Sequence, residues 1–326
     1  MGVGLIERYR ERLPLAPGAP AVSLGEGSTP LLHAPRLSAA LGVELWLKWE
    51  GANPTGSFKD RGMCVAVSQA LAEGANAVIC ASTGNTAASA SAYAARAGLK
   101  AIVLEPAGAV ALGKLAQARA AGATVLEVRG SFDEALAAAR ELARRGTHVL
   151  VNSVNPFRIE GQKTAAFELV EELGGPPEVL ALPYGGGGNT TAYFQGFSEL
   201  GTVPRFLPCQ AAERATTRAS AIRISEPVHA REVAEAVAGS GGEVLTVTDA
   251  QIVAAWQTLA HEEGVFCEPA SAAPVAALHH AGLAPGTQVV CVLTGHGLKD
   301  AEAVDRTAPP PVTVDADPDA IAAAAQ

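Results

Sequence analysis

Short apolar runs alternate with segments of helical periodicity from residue 57 onward, and this alternation limits the fold more than any other feature of the sequence. The predicted strands are residues 75–80, 101–105, 124–128, 148–151, 178–182 and 288–293. The predicted helices are residues 58–72, 86–97, 112–121, 132–144, 159–173 and 190–200. Such alternation is typical of mostly parallel sheets with right-handed crossovers and helices on both faces. The sequence therefore predicts an α/β protein.

Composition excludes several classes of partner. The 326 residues include 24 Lys and Arg against 33 Asp and Glu, which gives a net charge of −9. A nucleic-acid or anionic membrane surface needs a basic patch, so we expect neither a nucleic acid nor a membrane as a partner. Hydrophobic residues make up 48% of the chain and charged residues 17%, which excludes a mainly disordered protein.

The five cysteines have no C-x-x-C or zinc spacing, and most of them lie inside apolar runs. We therefore predict buried thiols in a reducing cytoplasm. The sequence also lacks H-E-x-x-H, G-x-S-x-G and the phosphate-binding G-x-x-x-x-G-K-[ST]. A metal enzyme or a serine hydrolase has no support from these patterns, and we predict no metal site.

The most specific chemical signal is the loop P-Y-G-G-G-G-N-T at 183–190, which follows an apolar strand and opens a predicted helix. Four glycines allow consecutive N–H groups to converge on one point, and the helix dipole adds partial positive charge there. This geometry suits a phosphate group. A tight strand-to-helix turn is the alternative interpretation.

Two further loops follow apolar strands, S-T-G-N-T at 82–86 and L-T-G-H-G at 293–297. Exposed N–H groups and hydroxyls at the start of a helix suit a carboxylate, although the first loop alone is equally consistent with a helix cap. All three loops follow the carboxyl ends of strands, where open α/β sheets bind ligands.

Lys59 is one of only six lysines, and it stands in N-P-T-G-S-F-K-D-R-G directly before a helical segment. The positive end of a helix dipole favours the neutral amine and therefore a nucleophile. The sequence around this residue alone leaves a solvated lysine equally open.

Taken together, these motifs resemble those of the pyridoxal-phosphate enzymes of the tryptophan synthase β-subunit family, which is fold type II. Within this family the sequence is similar to the threonine synthases. The similarity runs from about residue 20 to residue 300 and rests on four separate motifs in order. They are L-G-E-G-S-T-P at 24–30, W-E-G-A-N-P-T-G-S-F-K-D-R-G at 49–62, N-S-V-N-P-F-R at 152–158 and L-T-G-H-G-L-K-D at 293–300.

The resemblance implies two open, mostly parallel sheets flanked by helices, with pyridoxal 5′-phosphate as cofactor. It implies a large cofactor-binding domain at 1–54 and 147–326, a small mobile domain at 55–146, and a homodimer. Lys59 would form the Schiff base, Asn85 would contact the ring hydroxyl, and Thr294 would meet the pyridine nitrogen. The cofactor phosphate would be held by the glycine-rich loop, namely Gly185, Gly186, Gly187, Gly188 and Asn189.

The implied reaction converts O-phospho-L-homoserine and water to L-threonine and phosphate. Ser82, Thr83 and Thr86, with Asn85, would bind the substrate carboxylate. Asn152, Ser153 and Arg158 would bind the substrate phosphate, and the planar fork of arginine suits that group. A threonine or serine dehydratase, which has the same fold and lysine, and a non-catalytic binding protein remain alternatives.

One segment departs from the family pattern. After P-C-Q-A-A at 208–212 the family normally carries a Gly- and Pro-rich loop, whereas here Ala212 runs almost directly into A-S-A-I-R at 219–223. No residue of that loop can be assigned a role from the resemblance.

Overall fold

The computed structural model describes residues 4–82, 84–108, 115–146, 148–305, 307 and 310–325. Strands and helices alternate over most of its length. The strands are β1 Leu31–His33, β2 Glu44–Trp49, β3 Ala77–Ala81, β4 Lys100–Pro106, β5 Thr124–Val128, β6 Val149–Leu150, β7 Val179–Pro183, β8 Arg205–Ala211, β9 Leu245–Val247 and β10 Gln288–Leu293. The helices are α1 Leu5–Tyr9, α2 Pro35–Leu41, α3 Lys59–Ala72, α4 Asn85–Ala97, α5 Ala116–Ala120, α6 Phe132–Arg144, α7 Pro156–Leu173, α8 Gly188–Glu199, α9 Ala230–Ser240, α10 Asp249–Glu263, α11 Ala273–Leu278, α12 Glu302–Asp305 and α13 Pro318–Ala324.

The smaller sheet has four parallel strands in the order β5-β4-β3-β6. Successive side chains of a strand point to opposite faces, and β3 is apolar throughout, so it can be covered on both sides. Val78 and Cys80 join the core that includes residues of α3 and α4. Ile79 and Ala81 join a separate core with residues of α6.

The larger sheet has six strands in the order β1-β2-β10-β7-β8-β9, and only the edge strand β1 runs antiparallel to its neighbour. The alternating residues of β10 face two cores. Cys291 packs with residues of α10 and α11, whereas Val290 and Val292 pack with residues of α7 and α8. The predicted architecture of two mostly parallel sheets flanked by helices is therefore confirmed.

Individual elements agree with the sequence to different degrees. The predicted strands at 124–128 and 288–293 and the helix at 132–144 have the predicted bounds. The helix predicted at 112–121 is observed as Ala116–Ala120, and residues 112–114 lie outside the described part. The strand Val149–Leu150 pairs with β3, so the small sheet includes two residues that lie beyond the stretch 55–146 expected to form the small domain.

The cysteines occupy the interior as predicted, because all five are buried free thiols. Among the described helices, none combines the length and the apolar character that a membrane crossing requires.

Candidate active site

A cavity of about 1570 Å³ lies where the carboxyl ends of strands from both sheets face each other. Its walls include the loops that follow β3, β6, β7 and β10, and the start of α3. The volume exceeds the roughly 300–1,000 Å³ of an ordinary ligand pocket. The cavity therefore has room for more than one ligand, at the edge where parallel sheets bind them.

Lys59 is the first residue of α3 and lines this cavity. The preceding residues are tied to the loop after β10, since Ser57 forms an isolated bridge with Gly295 and the Phe58 N–H donates to the Thr294 carbonyl at 3.0 Å. The Lys59 ammonium nitrogen lies 4.3 Å from the centre of the Phe58 ring. The backbone contacts place the start of α3 beside Thr294, although Lys59 and Thr294 are 235 positions apart in sequence.

A buried ionic cluster holds α3 in this position. The Arg61 guanidinium donates to Glu50 of the turn after β2 at 2.7 Å and to Glu168 of α7 at 2.6 Å. Lys48 of β2 lies 3.2 Å from Glu168. Burial opposes ionisation of Glu168, but the charges of Arg61 and Lys48 and the hydrogen bonds to it lower its pKa to about 2. The cluster therefore stays ionised and fastens α3 to the large sheet through α7.

Asn85 and Thr294 both point at one carboxyl group, that of Glu268. The Asn85 amide donates to the Glu268 carboxyl at 3.0 Å, and the Thr294 hydroxyl donates to it at 3.2 Å. Burial raises the pKa of Glu268 above its ordinary value, and the hydrogen bonds from Asn85 and Thr294 act against that shift. The residues predicted to face a cofactor ring thus converge on an acidic group in the same cavity.

The pKa of Lys59 is lowered to about 7. Burial is the largest cause, and the charge of Arg158 adds to it, whereas the charge of Glu268 acts in the opposite direction. A lysine in this range is neutral for a large fraction of the time near neutral pH. It is therefore a competent nucleophile and proton carrier.

This shift predicts the pH at which Lys59 reacts in the cofactor-free protein. Because only the neutral amine attacks an electrophile, labelling of Lys59 by trace acetic anhydride should rise with pH through a midpoint near 7. The same lysine in the urea-unfolded protein should show a midpoint near 10.4. Peptide mass spectrometry measures the labelled fraction. A native midpoint above about 9 would contradict the environment described here.

Glu268→Gln provides the matched variant, because glutamine retains an oxygen that accepts from Asn85 and Thr294 but loses the negative charge. Since the Glu268 charge raises the pKa of Lys59, its removal should move the labelling midpoint to lower pH. A midpoint that stays in place would show that the two groups do not interact.

The glycine-rich loop lines the cavity next to these residues, and α8 begins at Gly188. Gly187 has a φ of +90°, a backbone conformation that residues with a side chain rarely adopt. A Cβ at this position would lie 2.8 Å from Val233. The side-chain amide nitrogen of Asn189 is buried and has no hydrogen-bond partner among the described residues. A concave run of backbone N–H groups with an unused donor beside it fits a phosphate group at a helix N-terminus.

The loop after β3 brings Ser82, Asn85 and Thr86 to the cavity wall. The Ser82 hydroxyl accepts from the N–H groups of Gly84 and Ala87, both at 3.3 Å, so it also stabilises the start of α4. Thr83 lies outside the described residues, and its predicted carboxylate contact stays a prediction.

Asn152 and Ser153 also line the cavity, at the end of β6. The Asn152 amide pairs with the backbone of Ala81, accepting from its N–H at 3.0 Å and donating to its carbonyl at 2.8 Å. This pairing continues the link between β6 and β3 past the last strand residue. One amide hydrogen of Asn152 remains for a ligand.

Arg158 lies beneath the cavity wall and has no exposed surface. One terminal nitrogen of its guanidinium donates to the Val151 carbonyl at 2.7 Å, and the other terminal nitrogen and Nε have no partner among the described residues. Burial lowers its pKa to about 10. A buried cation with unused donors would be stabilised by an anion nearby.

Three residues that line the cavity or contact its wall were missed in the sequence. Glu268 follows an apolar run in C-E-P-A-S-A, Ser271 lies 3.1 Å from the Thr294 hydroxyl, and Lys299 lines the cavity while donating to the Thr55 carbonyl at 2.8 Å. The only available signal for Glu268 was a lone acidic residue in an otherwise apolar stretch.

This fold and site match a known family. Residues 22–295 match the model of the pyridoxal-phosphate dependent enzymes, and the chain belongs to that family. It is 50% identical to threonine synthase of Halalkalibacterium halodurans over 91% of this chain and 90% of that protein. It is 52% identical to threonine synthase of Synechocystis over 92% of this chain and 84% of that protein. Within the larger family, the chain therefore belongs with the threonine synthases.

A solved structure shows the same fold. The processed threonine deaminase isoform 2 of Solanum lycopersicum superposes with a TM-score of 0.75 at 22% identity, covering 86% of this chain and 83% of that one. At that identity the likeness concerns the fold alone.

Proposed function

We propose that this chain is a threonine synthase, which converts O-phospho-L-homoserine and water to L-threonine and phosphate. The observation that carries the proposal is the level of identity, about 50% over nine-tenths of the chain, to proteins named threonine synthase. The threonine deaminase described above, which represents the dehydratase alternative, is 22% identical to this chain. The cavity supports the proposal because it is lined by a buried lysine with a lowered pKa and by a glycine-rich loop whose position suits a phosphate.

The residues around the cavity fit pyridoxal 5′-phosphate. We assign Lys59 to the cofactor aldehyde, and Gly185, Gly186, Gly187, Gly188 and Asn189 to the cofactor phosphate. Asn85 and Thr294 would face the ring, and their present partner Glu268 lies at the same place. When bound, this cofactor withdraws electrons from the α-carbon of a linked amino acid and makes its α-proton acidic. A neutral hydroxyl at the ring nitrogen leaves the cofactor a moderate electron sink.

Lys59 would then act as the proton carrier. Once the substrate amine has replaced it, its amine is free beside the substrate, and its pKa of about 7 suits removal of a proton near neutral pH. We assign it the α-proton first and the β-proton next. Phosphate would leave from the γ-carbon, which takes up a proton to become the methyl group. Water would add its hydroxyl at the β-carbon, and a proton would return to the α-carbon.

The substrate would be oriented by its two anionic ends. We assign the carboxylate to Ser82, Asn85 and Thr86, which line the cavity at the start of α4. Thr83, which lies outside the described residues, is assigned with them on the family resemblance. We assign the substrate phosphate to Asn152, Ser153 and Arg158. The unused donors of Arg158 support this assignment, since a phosphate dianion would satisfy them and offset the buried charge.

Movement of the small domain would exclude water. Residues Leu136 and Arg140 of α6 line one side of the cavity, and Ile224 and Val228 of the large domain line another. The small domain was expected at 55–146, but the Arg61 cluster fastens α3, its first helix, to Glu50 and to Glu168 of α7 in the large domain. We therefore propose that the elements from β3 to α6 move and bring these walls together, which would protect the reaction from side hydrolysis.

We further propose that the enzyme acts in the cytoplasm as a homodimer, with no nucleic-acid or membrane partner. The five buried free thiols support a reducing compartment, and the net charge of −9 argues against a nucleic-acid surface. The homodimer rests on the family resemblance, and sedimentation velocity tests it.

The test of the proposed function compares two substrates on the purified protein supplied with pyridoxal 5′-phosphate. O-phospho-L-homoserine should be turned over to threonine, and L-threonine should be deaminated to a keto acid slowly or not at all. A dehydratase would give the reverse preference. A protein that takes up the cofactor but turns over neither substrate would indicate a binding protein.

A further inference from the structure

The segment 213–229, which begins where the chain departs from the family pattern, packs against the glycine-rich loop. Ile224 and Val228 of this segment also line the cavity, whereas Arg214 and His229 do not. A Cβ at Gly185 would come within 3.1 Å of Ile222, and one at Gly187 within 3.0 Å of His229. The backbone N–H of His229 donates to the Gly186 carbonyl at 3.0 Å. The segment therefore packs directly on the loop that faces the cavity.

Arg214 makes most of the polar contacts between this segment and the loop. Its guanidinium donates to the Gly185 carbonyl at 2.6 Å, to the Ile224 carbonyl at 3.0 Å and to the Gln210 side chain at 2.7 Å. It also donates to the Tyr184 carbonyl at 3.4 Å and lies 4.6 Å from the centre of the Tyr184 ring. Arg214 is not on the cavity wall, so it acts on the loop from behind.

The direction of these contacts matters because the C=O and N–H groups of a trans peptide point in opposite directions. Arg214 holds the Gly185 carbonyl on the outer side, so the Gly186 N–H points the other way. The His229 N–H does the same for the next peptide, so the Gly187 N–H also points away from the segment. In the described part of the chain, neither of these two N–H groups donates to a protein acceptor.

We infer that Arg214 is a positioning residue for the cofactor phosphate: its guanidinium fork holds the carbonyls of Tyr184 and Gly185 so that the N–H groups of the glycine loop face the phosphate. Glycines leave the loop otherwise free to turn its peptides, and a preorganised loop binds more tightly than a mobile one. The inference rests on the proposed function, which assigns the cofactor phosphate to this loop.

The test measures binding of pyridoxal 5′-phosphate and of pyridoxal, which lacks the phosphate, to the cofactor-free protein by absorbance titration. Hydrogen bonds from a charged group are among the stronger ones. Arg214→Gln should therefore weaken binding of pyridoxal 5′-phosphate about ten- to hundred-fold and leave pyridoxal binding unchanged. Arg214→Lys, which restores the charge without the fork, should recover only part. The control variant is Arg231→Gln, because Arg231 is exposed and paired with Glu235 within α9. It should bind both ligands with the affinities of the wild type.

Three results would overturn the inference. The first is a loss in Arg214→Gln that is equal for both ligands, the second is no loss for either ligand, and the third is full recovery by Arg214→Lys, which would show that the positive charge is sufficient without the fork. If instead the wild-type protein binds both ligands equally, the loop is not a phosphate site, and the proposed function loses its cofactor assignment.

Discussion

Replacing Lys59 by alanine should abolish conversion of O-phospho-L-homoserine, with a loss of at least about 10⁴-fold in kcat, because one amine serves as attachment point and as proton carrier. The variant should still bind pyridoxal 5′-phosphate through the glycine-rich loop, which Lys59 does not hold in place. Product assay and absorbance titration measure the two properties separately. The wild-type holoenzyme, after borohydride reduction, should carry the cofactor on Lys59.

The five other lysines provide the internal control for this experiment. Lys299 is the informative one, since it also lines the cavity and burial lowers its pKa as well. In the Lys299→Ala variant, borohydride reduction should still fix the cofactor to Lys59. Cofactor fixed to Lys299 in the wild type, or substantial turnover by Lys59→Ala, would show that the catalytic lysine is misassigned.

Arg158→Ala should lower kcat/KM for O-phospho-L-homoserine by about 30- to several-thousand-fold, because truncating one partner of a buried charge pair costs about 2–5 kcal/mol. The guanidinium lies fully buried with two unused nitrogens, and a phosphate is the group that would satisfy them. Any slow deamination of L-threonine, which carries no phosphate, should change much less. Arg158→Lys should recover only part of the loss, since lysine lacks the fork.

The pH dependence separates this role from an effect on Lys59. Arg158 lowers the pKa of Lys59, so its removal should raise that pKa and leave more of the free amine protonated at neutral pH. If the loss of kcat/KM came from a protonated Lys59, it would affect both substrates and become smaller as the pH rises. If it came from a lost contact with the substrate phosphate, it would stay the same at higher pH. Equal losses for the two amino acids would indicate a structural arginine. No loss for either would remove Arg158 from the phosphate site.

Of the described strands, the sequence predicted β3, β4, β5, β6, β7 and β10, and it missed β1, β2, β8 and β9. β2 has the sequence E-L-W-L-K-W, and its Lys48 is buried only because Glu168 and Glu172 of α7 compensate the charge. β8 contains Pro208, which argues against an inner strand. It is tolerated because β9 pairs only with the next three residues, starting at Cys209.

In the site, the residues recognised from the sequence are those with a local pattern, and the residues missed are those placed by contacts distant in sequence. The loop residues and Lys59 were recognisable because glycines, hydroxyls and a rare lysine stand at strand ends, and the described members of this set lie on one cavity. Glu268 was missed because its partners, Asn85 and Thr294, are 183 and 26 residues away. The position of Arg158 beneath the wall also follows from packing against Gly62, which no local pattern reveals.

The most direct test of the central claim is the stoichiometry of products from O-phospho-L-homoserine. Purified protein with bound pyridoxal 5′-phosphate should release phosphate and L-threonine in a one-to-one ratio, with one oxygen from ¹⁸O-labelled water at the β-carbon. The cofactor should be attached at Lys59 in the same preparation. Phosphate released with a keto acid in place of threonine, or no phosphate at all, would contradict the assignment of this cavity to threonine synthesis.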